Sequence, residues 1–199
     1  MTEIVIVSKT KVRDSVCIGA HRLDDFKSLR LNRPGGRFMP TDTKLDIGAV
    51  WEADLVEGER KPPHNEDVTV TIGKFIGRFE DLEATIRRRA VIWEGTPDDL
   101  FQGRLNRSRG GSGYVPAGGP QPTMSTGYWL PAADLHRDDY RDSPKFAYSR
   151  PSSVKRAPWV GVAEPPPRID AGTLVRVSLS GPWGKGDECG CWLQISGVY

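Results

Sequence analysis

The chain has little sulfur, no long apolar run and almost no net charge, and each shortage removes a class of protein. Its three cysteines, Cys17, Cys189 and Cys191, are too few and odd in number for a disulfide framework. The longest apolar run near the start is Ile4-Val5-Ile6-Val7. It has no basic stretch before it and reads as a first strand, not a signal peptide. No segment approaches the roughly 20 apolar residues that span a bilayer. A reducing cytoplasm is the expected compartment, with no membrane partner. The formal net charge of +2 is too small to argue for nucleic acid by itself. No P-loop, G-x-S-x-G or dinucleotide fingerprint is present.

Sixteen prolines and 22 glycines in 199 residues oppose long helices and favour short strands joined by turns. Period-two alternation marks the strands. Val175, Val177 and Leu179 alternate with Arg176, Ser178 and Ser180; Cys191, Leu193 and Ile195 alternate with Trp192, Gln194 and Ser196. In the first half, strands are expected near residues 4–8, 16–20, 29–32, 48–56 and 68–72. Residues 77–89 change period: Phe79, Leu82 and Ile86 share a helical face, with Glu80, Asp81 and Glu83 before Arg87, Arg88 and Arg89, the order that complements a helix dipole. A further strand is expected near 90–94 and one helical turn near 97–101. Residues 102–126 are rich in Gly, Ser, Pro and Arg and read as a flexible connection. About five more strands follow. The expected fold is mostly β: two tandem small OB-like barrels over residues 1–101 and 127–199, with one main helix and a long connection between them.

Several pieces resemble the dual OB-containing domain family of bacterial conflict and phage-defence systems. They are Ile4-Val5-Ile6-Val7, Cys17-Ile18-Gly19-Ala20, Leu31-Asn32-Arg33-Pro34, Asp46-Ile47-Gly48, His64-Asn65-Glu66-Asp67 and the closing Leu193-Gln194-Ile195-Ser196-Gly197-Val198-Tyr199. The resemblance implies two OB-like barrels and a connection to nucleic acid or nucleotides. It implies no reaction.

Charge is unevenly placed. Residues 1–40 sum to +4, 41–100 to −6, 101–160 to +5 and 161–199 to −1. Arg30, Arg33 and Arg37 flank Gly35-Gly36, where glycine lets a backbone approach phosphate and arginine forks match its oxygens. Arg104, Arg107 and Arg109 sit among glycines with Tyr114, a mixture suited to single strands, whose bases stack while phosphates pair. Trp192 points away from the apolar set of its strand and is a candidate stacking surface.

Other motifs read as structural. Cys189-Gly190-Cys191 lacks a second cysteine pair, and His21, His64 and His136 are scattered, so no metal site is expected. His64 with Glu66 can orient a ligand or tie two loops together, and the structural role is the favoured one. Glu59-Arg60-Lys61 precedes Pro62-Pro63, which reads as a turn and not a nuclease strand. His136-Arg137-Asp138-Asp139 reads as a solvated charge run. No catalytic residue and no cofactor is expected. The sequence therefore points to a non-enzymatic module that binds nucleic acid, single-stranded or through its backbone, in a defence-type system. The alternative is an assembly subunit that scaffolds a partner effector protein.

Overall fold

The computed structural model describes residues 1–139 and 144–199. The chain forms two compact units, Met1–Ala90 and Val91–Tyr199. No helix among the described residues is long and apolar enough to cross a membrane.

The first unit is a closed five-stranded barrel. Its strands are β1 (Thr2–Val12), β2 (Ser15–Arg22), β3 (Ser28–Asn32), β5 (Ala49–Glu57) and β6 (Asp67–Arg78), with a two-residue strand β4 (Met39–Pro40) appended to β2. β1, β2 and β3 form an antiparallel meander. β3 runs parallel to β6, β6 pairs back with β5, and β5 closes on β1. The β1–β2 register slips between Ile6 and Ser8. Such a bulge bends a strand, and here β1 pairs with β5 through Thr2–Val5 and with β2 as far as Val12. The core follows the period-two rule: Ile18 and Ala20, Leu29 and Leu31, and Val68 and Val70 are all buried two residues apart. Each large aliphatic side chain so buried stabilises the barrel by about 1.5–3 kcal/mol.

All five strands expected in this half are present. The helix is shorter than the sequence implies: α1 spans Leu82–Arg89, because β6 continues to Arg78 and Asp81 turns the chain in the left-handed region at φ 51°. Ile86 packs inward, Arg87 pairs with Glu83, and Arg89 donates to the carbonyls of Leu23 and Asp24 while lying over the Phe26 ring.

The second unit has two sheets around one core. The larger has the order β7 (Ile92–Gly95), β10 (Thr126–Pro131), β15 (Val175–Leu179), β16 (Gly190–Val198), β9 (Gly113–Pro116), β8 (Asn106–Arg107). The smaller has the order β13 (Arg156–Pro158), β12 (Lys145–Tyr148), β11 (Leu135–Asp138), β14 (Arg168–Ile169). Trp129, Val177, Leu193 and Ile195 of the first meet Leu135, Phe146 and Tyr148 of the second in one apolar cluster. The turn at Pro97–Gly103 starts with a capping box of Thr96 and Asp99.

Two expectations are corrected here. The units divide after Ala90, not after residue 101. Residues 102–126, expected as a flexible connection, belong to the second unit. Leu105, Ser108, Tyr114 and Val115 are buried there, and β9 is bonded to β16. Few apolar residues suffice because the glycines fit: a Cβ on Gly113 would stand 2.9 Å from Val154. Close approach of small residues substitutes for the hydrophobic content that composition alone would demand.

Candidate nucleic-acid interface

A ladder of three aromatic rings stands on the β9–β16 side of the larger sheet. Tyr114 on β9 lies directly opposite Trp192 on β16. Residues so paired share one face of the sheet, and these rings stack with centroids 5.0 Å apart at 25°. The hairpin between β15 and β16 then folds back, with Trp183 and Gly190 exchanging two backbone hydrogen bonds of 3.0 and 3.1 Å. This lays the Trp183 ring on Trp192, 4.7 Å away at 23°. The Trp192 indole N–H donates to the Trp183 carbonyl at 3.1 Å. Tyr114 is 6% exposed and its hydroxyl donates to the Asp187 carbonyl, whereas Trp183 is 58% exposed. The ladder thus has a buried foot and an open end.

Two glycines permit it. A Cβ on Gly190 would meet the Val115 carbonyl oxygen at 2.2 Å, and Gly184 sits at φ +114° with the Glu188 carbonyl 2.4 Å from where its Cβ would be. Neither position accepts a side chain without moving backbone.

The structure brings Arg109 and the ladder together. Arg109 lies in a tight turn closed by the Ser108 N–H donating to the Ser112 carbonyl. Its own N–H donates to the Glu188 carboxylate at 2.8 Å, which joins this turn to the Trp183 hairpin. Arg107 pairs with Gly113, while Asn106 pairs with Tyr114. Alternation therefore puts Asn106, not Arg107, in the row of Tyr114 and Trp192. Arg104 follows the 97–103 turn. All three arginines are exposed, and none makes an ion pair among the described residues. Lys185 adds a fourth exposed cation on the hairpin, and Asp187 is an exposed anion beside it.

The arginines of the first unit divide by role. Arg30 on β3 is held by Asp67 through a fork, Nε to one carboxylate oxygen and Nη2 to the other at 2.6 Å, with Nη1 3.2 Å from His64 Nδ1. Burial works against its charge, but the hydrogen bonds and charge of Asp67 outweigh that and raise its pKa. Arg30 is therefore a structural cation, and the His64–Asp67 turn is what holds it. Arg33 and Arg37 form a small bridge around Gly35 and Gly36, both at positive φ. Arg33 donates to the Phe38 carbonyl and Arg37 to that of Pro34. Arg37 is exposed and Arg33 half-buried.

Sequence reasoning does not single out two notable residues. Trp183 lies in Gly-Pro-Trp-Gly, a turn with no alternation to show which way its ring points. Arg176 belongs to the polar set of β15 yet is 1% exposed, its guanidinium 5.3 Å above the Tyr128 ring. Its Nε and Nη1 have no hydrogen-bond partner among the described residues. Burial raises the pKa of the Tyr128 and Tyr199 hydroxyls beside it. Among the described residues, no cluster of histidine, cysteine or carboxylate side chains is arranged to hold a metal ion. In the 136–139 run, Arg137 pairs with Asp139 and Asp138 with Arg156, so these charges tie β11 to its surroundings.

No protein-family model matches the chain, and no curated protein matches it. Among solved structures, it is similar to one described as "Structural mimicry for functional antagonism", at TM-score 0.40 and 11% identity over 98% of this chain and 91% of the other. It is also similar to a murine DNA-binding protein bound to double-stranded DNA, at TM-score 0.34 and 6% identity over 98% and 97%. Likenesses this distant carry no weight for fold or function.

Proposed function

We propose that this protein is a non-enzymatic nucleic-acid-binding module, and that the second unit holds the contact surface. One observation carries the reading: an open-ended aromatic ladder, Tyr114–Trp192–Trp183, tied through Glu188 to a turn bearing Arg109, with Arg104 and Arg107 close by in sequence. Rings of this kind stack on bases, and arginines without acidic partners are available to phosphate oxygens. Arg33 and Arg37 of the first unit are candidate phosphate contacts of their own. Arg30 is not, because Asp67 occupies its fork.

The strand order of the first barrel supports an OB-type reading of that unit: an antiparallel meander of β1, β2 and β3, the parallel β3–β6 pair, and β5 closing on β1. We place the module in the dual OB-containing family of defence systems on the motif residues quoted above. The test is a titration of labelled oligonucleotide at several salt concentrations, wild type against Arg104→Ala/Arg107→Ala/Arg109→Ala. Removing one arginine–phosphate pairing should reduce the salt slope by about 0.7 on single strands, so the triple variant should show a slope smaller by about 2. Absence of salt-dependent binding by the wild type overturns the reading. The assembly-subunit reading then takes its place, favoured by Phe75 and Ile76, which stand 48% and 43% exposed on β6.

A further inference from the structure

We infer that the open face of Trp183 is the seat of an unpaired base, so that the second unit takes single-stranded nucleic acid in preference to duplex. The inference rests on the nucleic-acid reading above and adds to it the ligand's form and the residue that selects it.

A base inside a duplex has a neighbour on each face. Only an unpaired or terminal base can lay its ring on a protein aromatic. Trp183 presents such a partner surface. One face is covered by Trp192, and the residue is still 58% exposed. Its orientation is fixed before any ligand arrives: the backbone is pinned on both sides by Gly190, and the Trp192 indole N–H holds its carbonyl. A ring already held in place loses little freedom on binding.

The charges around the ring favour one strand over two. Lys185 lies two residues beyond Trp183, and the turn carrying Arg109 is bonded to the same hairpin. These can accompany one phosphate chain. Asp187 is exposed on that hairpin and Glu188 faces the Arg109 N–H. Asp187 and Glu188 lie four and five residues beyond Trp183 on that hairpin, and carboxylates so placed disfavour the denser phosphate charge that a duplex would bring. Stacking reads the face of a base and not its edge, so the preference is for unpaired form without strong preference for sequence.

The experiment compares wild type, Trp183→Ala and Trp183→Phe on a short labelled single strand of mixed sequence, as DNA and as RNA, and on the blunt duplex of the same sequence. Circular dichroism establishes that the variants keep the wild-type fold. Tryptophan fluorescence and a salt series are recorded in each titration. The wild type should bind the single strand more tightly than the duplex and show quenched tryptophan emission. Trp183→Ala should lose roughly 5- to 150-fold in single-strand affinity with an unchanged salt slope, and Trp183→Phe should recover most of it. Should Trp183→Ala bind single strands as the wild type does, or should the wild type prefer duplex, the inference is overturned while salt-dependent binding leaves the nucleic-acid reading standing. No salt-dependent binding by the wild type overturns both.

Discussion

Arg30 and Asp67 stand opposite one another across the parallel pair β3–β6, and the guanidinium meets the carboxylate with two of its nitrogens. The pair crosses the one parallel junction in the barrel. It is a place where a cation that looks suited to ligand binding is consumed by the fold.

Arg30→Ala should therefore lower the stability of the first unit by about 1.5–3 kcal/mol, the worth of hydrogen bonds to a charged group. Urea unfolding followed by circular dichroism measures this. The same substitution should leave the salt slope of nucleic-acid binding unchanged, and a drop in that slope would return Arg30 to the contact surface.

Asp98 makes a pH prediction. Burial raises the pKa of its carboxyl, but hydrogen bonds from the Ser153 hydroxyl and N–H, the Ser152 hydroxyl and the Val154 N–H outweigh burial, and the net shift is down from 3.8. A carboxyl with a lowered folded pKa adds stability that is present above its unfolded value and is lost as pH falls through the folded one. The thermal midpoint of the second unit should drop as the solution is acidified below about 4. Asp98→Asn should start less stable at neutral pH and show a shallower acid drop. Parallel acid profiles for the two proteins would sink this assignment.

The turn around Arg109 bears on proteolysis. The N–H groups of Lys155 and Arg156 both donate to the Gly111 carbonyl, and Ser108 is buried. A protease needs an extended, unbonded stretch, so cleavage after Arg104, Arg107 or Arg109 requires local unfolding. Trypsin should cut after Arg60, in the exposed turn between β5 and β6, before it cuts after any of these three. Mass spectrometry of the earliest fragments decides the order.

Strand content is legible in the sequence wherever alternation is clean. Ala49, Trp51 and Ala53 against Val50 and Glu52 mark β5 without ambiguity. The site is half legible. Tyr114 and Trp192 can be named, but their adjacency depends on the β9–β16 register, which joins residues about 80 apart in sequence, and local pattern carries no such information. Composition misleads over residues 102–126. It weighs apolar content, whereas Gly113 and Gly190 act by letting other atoms come close, a property visible only once neighbours exist. The Arg30 cluster misleads in the opposite sense: three arginines beside glycines look alike, and only the facing residue across β3–β6 distinguishes Arg30 from Arg33 and Arg37.

The position of β16 governs how the chain can be made. The first barrel's strands end at Arg78 and its unit at Ala90, so it can close while later residues are still being synthesised. In the second unit, β16 lies between β15 and β9, and among the described residues β8 and β9 join the larger sheet only through it. On the ribosome, synthesis at roughly 5–20 residues per second leaves β8 and β9 waiting several seconds for Gly190–Val198 to emerge. Through that interval β9 is paired with β8 alone and its other edge is open. A nascent chain stalled before residue 190 would carry a finished first barrel and an exposed, sticky half-sheet, the form that chaperones and proteases recognise.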